Sequence, residues 1–157
     1  MKTQLHEQQL LPIKKLRTSV FLLFFLFLNT SVFSGIVPDG VQKSFDGQFP
    51  GASNVIWERQ HPKGFIAEFE FQGKNVIANY TYEGNWVEAK TEISILDLPV
   101  AVKESIASFY PDWKMVVAGK IENSKNEVFY KIGIQNELKL IEVILKEEGT
   151  LLLVGLE

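Results

Sequence analysis

Apolar residues recur every four positions at Val37, Val41, Phe45 and Phe49, and again at Leu98, Val102 and Ile106, followed by Phe109 and Tyr110. That spacing lays a single apolar stripe along a helix, so two amphipathic helices are predicted. Pro38 and Pro99 stand in the first turn, where a missing N–H costs nothing. Pro50 and Pro111 stop each helix just after its last aromatic residue. Elsewhere the period falls to two, the signature of strands with one buried face. Phe65, Ala67, Phe69 and Phe71 share one side, and Ile66, Glu68 and Glu70 the other. Val76, Ala78, Tyr80 and Tyr82 alternate with Asn75, Ile77, Asn79 and Thr81 in the same way. In the second half, Val128, Tyr130, Ile132 and Ile134 alternate with Phe129, Lys131 and Gly133. Turns fall at 72–75, 83–85, 135–137 and 147–150, each with a Gly or Asn that tolerates positive φ.

The pattern is written twice. Sliding the chain by 61 residues lays 37–57 over 98–118, with five identities in 21 positions, both prolines of each helix among them. Beyond that the offset drifts to 65, which sets Gly84 over Gly149. The expected fold class is α+β: two tandem helix-plus-four-strand antiparallel meander repeats, about 37–95 and about 98–157. The short link at 95–99 favours one continuous sheet, with both helices packed on one face. Each half is too small to bury its own apolar surface well, so the two are expected to share a core.

Composition adds a location. Residues 1–34 read as a secretory signal peptide, with Lys14, Lys15 and Arg17 flanking the apolar run Val20–Leu28 and small residues ahead of Gly35. The run is short for a bilayer span, so a signal anchor is the minor alternative. Cleavage would remove four of the 16 basic and one of the 19 acidic residues, moving the net charge from −3 to −6 for a domain spanning 35–157. An acidic domain with no basic cluster argues against nucleic acid and against anionic lipid as partners. With no cysteine there is no disulfide, thiol nucleophile or lipid-modifiable thiol. A periplasmic or secreted bacterial protein is the expectation.

Most catalytic constellations fail on inventory. Beyond the signal only one histidine remains, His61, in a turn, so no zinc site can be completed. Ser44 and Ser105 lie on helices without a nucleophile elbow, and no phosphate-binding glycine pattern occurs. Glu68 and Glu70 share a strand face, which leaves a paired acid/base arrangement open beside the plainer reading of two solvated charges. Neither a cofactor nor a metal is expected, and no enzyme is read. Attention therefore moves to the open sheet face, where Glu68, Glu70, Phe129 and Lys131 are candidates for partner contact. Counting by twos along its strand puts Trp86 beside Glu88, Lys90 and Glu92 on that polar side, as a contact anchor or as plain packing. Trp113, just past the second helix, is a candidate at the sheet edge, whereas Trp57 is expected in the core.

The succession "FPGASNVIWE", "GFIAEFEFQGKNVIANYTYEGNWVEAKTEI", "LPVAVKESIASFYP" and "EEGTLLL" resembles the PepSY-like family of exported bacterial proteins, itself described as similar to the β-lactamase inhibitory protein. The likeness covers about 37–157. It departs in the second half, where Ala118 stands for Trp57 and Leu151 for Trp86, so the halves need not share a binding role. What the resemblance implies is a curved sheet that grips a protein or peptide partner in the cell envelope, with inhibition of an envelope enzyme as the implied role. Three alternatives stay open: a carrier of a small apolar ligand between helices and sheet, an enzyme using Glu68 and Glu70, and a structural role in envelope assembly.

Overall fold

The computed structural model describes residues 37–156; the segment read as a signal peptide lies outside the described residues. Helix α1 (Asp39–Gln48) leads into strands β1 (Ser53–Gln60), β2 (Gly64–Phe71), β3 (Lys74–Tyr80) and β4 (Trp86–Ile93). A single 3-10 turn, Ile95–Asp97, then opens the second half. It continues through α2 (Val100–Phe109), β5 (Lys114–Asn123), β6 (Val128–Gln135), β7 (Leu140–Lys146) and β8 (Leu151–Leu156). All eight strands form one antiparallel sheet in chain order. Its middle seam is the β4–β5 ladder, from Glu88↔Asn123 to Ile93↔Ala118.

The prolines bound the helices as the sequence predicts. Pro38 and Pro99 are the residues that open α1 and α2. At the far ends the N–H groups of Phe49 and Tyr110 donate to the carbonyls of Phe45 and Ile106, both at 2.8 Å, and Pro50 and Pro111 have no N–H to continue the ladder.

Each half has its own buried cluster, so the expectation that the two share one core is corrected: what they share is the sheet. In the first, Val41 and Phe45 of α1 meet Phe65, Ala67, Phe69, Val76, Ala78, Tyr80 and Ala89. Ala67, Ala78 and Ala89 are register partners across β2–β4, and this row of small side chains leaves room beneath α1 for a large one. Phe45 meets that need, with its ring 4.8 Å from Phe69 and 5.2 Å from Trp57, both edge-on. The second cluster is built mainly of aliphatics: Leu98, Val102 and Ile106 against Ala118, Ile132, Ile134, Val143 and Leu145, with Tyr130 at its margin. Cross-strand partners share a face, so the registers show both clusters drawing on one side of the sheet. On β4 itself, Ala89 belongs to the first cluster while Ile93 packs against the second.

The repeat also has a backbone meaning. Gly84, in the β3–β4 turn, has φ +89°, and a Cβ there would stand 2.8 Å from the backbone of Gly40 in α1. Gly149, in the β7–β8 turn, has φ +87°, and its Cβ would stand 2.7 Å from the Ala101 carbonyl in α2. In each half the same turn glycine lets the last hairpin close against the start of the helix. Gly73 provides a control, since its φ is +73° but nothing lies within 4 Å of the Cβ position. Gly73→Ala should cost about 1–2 kcal/mol, the left-handed backbone penalty alone, and Gly84→Ala distinctly more, as measured by urea denaturation. Equal losses would contradict the close approach of turn and helix.

Candidate binding groove on the open sheet face

The sheet side away from the two clusters carries Ile66, Glu68 and Glu70 on β2, Ile77 and Asn79 on β3, and Glu88, Lys90 and Glu92 on β4. Gly119 and Ile121 on β5 and Phe129 and Lys131 on β6 continue it, as the registers align them. One cross-strand row reads Ile56, Glu68, Ile77, Lys90, Ile121, Phe129 and Lys146, alternately apolar and charged as far as Ile121. A right-handed sheet of this width curls as it twists, and the open face holds a groove of about 620 Å³. Its lining runs from Ile66, Glu68 and Ile77 to Gly119, Ile121 and Lys131, and so crosses the seam between the halves. Where Glu92, Gly119 and Lys131 lie in one row, the missing side chain of Gly119 deepens the floor. A second depression of about 350 Å³, with Ile56, Glu70 and Asn75 on its walls, shares Glu68, Ile77 and Glu92 with the first.

The charges of this face are unevenly settled. Lys90 Nζ lies 3.2 Å from Glu88 Oε1, and Lys131 Nζ lies 2.7 Å from Glu142 Oε2. Asn79 donates its amide N–H to Glu88 at 3.0 Å, which fixes which way the amide is turned. Its Oδ1 and the Oε1 of Glu68 are both shut off from solvent, and no described group donates to either. Burial holds the Glu68 carboxyl above the usual carboxylate range, and the nearby Glu58 carboxylate adds to the effect. Among the described residues no group of three or more acidic, His or Cys side chains is placed to hold a metal ion.

Of the six residues singled out from the sequence, Glu68, Glu70, Phe129 and Lys131 stand on the open face. The two tryptophans do not. Trp86 pairs with Tyr80 while Glu88 pairs with Asn79, so one strand residue, Val87, is extra. This bulge inverts the alternation, turning Trp86 onto the helix side, where it packs against the first cluster. The expectation that it shares a side with Glu88, Lys90 and Glu92 is therefore corrected. Leu151 is turned the same way by a bulge at Leu152 and covers the second cluster. Trp113 is half-buried against that cluster, its ring 5.8 Å from Tyr110 and edge-on to it, rather than presented at an open edge. Asn79 and Ile77, missed as site residues, line the groove between Glu68 and Glu88; their alternation on the polar side of β3 was the available signal.

A profile of the family described as "Putative beta-lactamase-inhibitor-like, PepSY-like" matches residues 67–152, more than half of the chain. The chain belongs to this family. Solved structures repeat the fold of this PepSY-like chain. A BLIP-like protein of Bacteroides fragilis is 22% identical, with a TM-score of 0.67 over 77% of this chain and 88% of its own. A DUF2874 family protein of Bacteroides ovatus is 21% identical, with a TM-score of 0.70 over 78% and 89%. A Bacteroides eggerthii structure, described as "putative periplasmic proteins", is 18% identical, with a TM-score of 0.71 over 78% and 90%. No functionally curated protein matches the chain. The family is thus one of inhibitor-like, non-catalytic modules. Among the described residues, no helix is long and apolar enough to cross a membrane.

The state of Glu68 makes a prediction for this PepSY-like module. Because folding raises its pKa, the fold favours the protonated form. The associated stability is complete below the ordinary glutamate pKa and is lost as the pH rises through the raised value. Glu68→Gln, which stays neutral, should match the parent at pH 4 and be the more stable at pH 7, as read from urea midpoints. A gap that is unchanged or reversed between the two pH values would contradict the burial of that carboxylate.

Proposed function

We propose that this PepSY-like protein is an exported, non-enzymatic binding module of the cell envelope that holds a protein partner on its open sheet face and inhibits it. The observation that carries the reading is the groove across β2–β6, whose lining mixes apolar and charged side chains. Apolar groups there supply area to exclude water, and charged groups fix register and reject wrong partners. Pockets that accept small molecules are mostly apolar with few polar groups, whereas Glu68, Asn79, Glu88, Lys90, Glu92 and Lys131 all line this one. Support for export comes from the basic and apolar segment within 1–34 and from the periplasmic description of the Bacteroides eggerthii neighbour. Inhibition is supported by the description of the family and of the Bacteroides fragilis neighbour.

The alternative, a small apolar ligand held between helices and sheet, finds less support. A helix-side depression of about 380 Å³ is lined by Phe49, Trp86, Ala89 and Val128, but also by Gln48, Glu122, Asn123, Asn126 and Glu127, polar groups that an apolar ligand would leave without water.

The test is capture from an envelope extract of the source cell with three baits: the parent, Ile77→Arg in the groove, and Phe109→Ser at the exposed end of α2. We expect one envelope protein held by the parent and by Phe109→Ser, lost with Ile77→Arg, and less active once the parent is added. Retention by Ile77→Arg, with its folding verified by circular dichroism, would move the contact off the open face and overturn the reading.

A further inference from the structure

Resting on the reading of the open face as protein-binding, the chemistry of one end of the groove specifies part of the partner. Along β1–β3 the open-face positions carry Glu58, Glu68 and Glu70, with no base among them. Of the bases further along the face, Lys90 is engaged by Glu88 and Lys131 by Glu142, while Lys146 stands beyond the groove on β7 and Lys63 lines the groove from the β1–β2 turn. Acids therefore outnumber bases around Glu68. Glu68 also sits where the two depressions of the face meet. Its Oε1 and the Asn79 Oδ1 are both acceptors that nothing described satisfies. Two unsatisfied acceptors beside an excess of negative charge ask for a donor that carries positive charge. Their neighbours set the form of that donor. Glu68 is flanked in its row by Ile56, 59% exposed, and by Ile77, a surface on which the aliphatic stem of a long basic side chain can lie while its head reaches the carboxylate.

We propose that the Glu68–Asn79 end of the groove receives a basic side chain, arginine before lysine, carried on an exposed segment of the partner protein between apolar residues. Arginine is preferred because its guanidinium holds water less tightly than an ammonium and so gives up less on entering a partly shielded site.

The experiment uses ¹⁵N-labelled protein and three short peptides, identical except for a central arginine, citrulline or glutamate between leucines. Amide shifts should centre on Glu68, Ile77 and Asn79, and the arginine peptide should bind about tenfold tighter than its neutral citrulline counterpart, a difference set by one charged hydrogen bond. Glu68→Gln should remove that preference, and Glu104→Gln, at an exposed acid of α2 away from the open face, should keep it. Open-face shifts of equal size with all three peptides would overturn the basic-residue inference while leaving the face as a protein-binding surface. No open-face shift with any peptide at millimolar concentration would overturn it as well, and the capture experiment would then decide the wider reading separately. Shifts reproduced by calcium chloride alone would assign the end to a metal ion, and shifts that grow with protein concentration alone would assign it to a second copy; either result overturns it.

Discussion

Everything about the groove depends on the β4–β5 ladder. Each half of the chain makes a helix, four strands and a buried cluster of its own, and without that ladder they would be two small units with exposed edges. Six paired positions, from Glu88↔Asn123 to Ile93↔Ala118, join them into one eight-stranded sheet. Pairing there removes two edges, which would otherwise template association with other chains. It also creates a surface that neither half has alone, since the groove takes Glu68 and Ile77 from one side of the seam and Ile121 and Lys131 from the other. The short 3-10 turn supports the same junction, with the Ser94 hydroxyl accepting the Leu96 N–H at 3.2 Å and Lys103 Nζ donating to the Leu96 carbonyl at 3.2 Å.

The two halves share a backbone but not a filling. Bulges fall at matched places, at Asn54–Val55 and Val116 in the first strand of each half and at Val87 and Leu152 in the last. The first half fills its cluster with aromatic rings around Phe45, the second mainly with branched aliphatics around Val102 and Ile106. On the open face the divergence continues: acids outnumber bases around Glu68 on the first half, whereas Lys131 and Glu142 neutralise each other on the second. Because buried shape is constrained by dense packing on both halves, the open face is where a duplicated unit is free to specialise.

Much of this was legible in the chain. The four-residue recurrence at Val37–Phe49 and Leu98–Ile106, the flanking prolines and the period-two runs gave the elements, and Gly84 over Gly149 marked the turns that close on the helices. Trp86 was misplaced because counting by twos fails across a bulge: one extra residue inverts every side chain beyond it, and nothing in "GNWVEAK" announces Val87 as that residue. Trp113 was misplaced because its side is decided by packing against Tyr110 after the helix end, a long-range fact. Glu68 was legible as a charge on the open face but not as a shielded one, since its shielding comes from neighbouring strands that the sequence does not place beside it. A buried, unsatisfied acceptor lowers stability, and such local departures from good packing tend to sit where a protein does its work.

The central claim, that the two halves form one structural body whose shared sheet builds the groove, is most directly tested by native-state hydrogen exchange along the β4–β5 ladder. The account predicts that the amides of Ala89, Thr91, Lys120 and Glu122, which the register turns across the seam, exchange only through global unfolding, with the same free energy and the same denaturant dependence as the most protected amides of β2 and β6. Exchange at the seam with a lower free energy, while the two clusters stay protected, would show halves that open independently and would contradict a preformed groove.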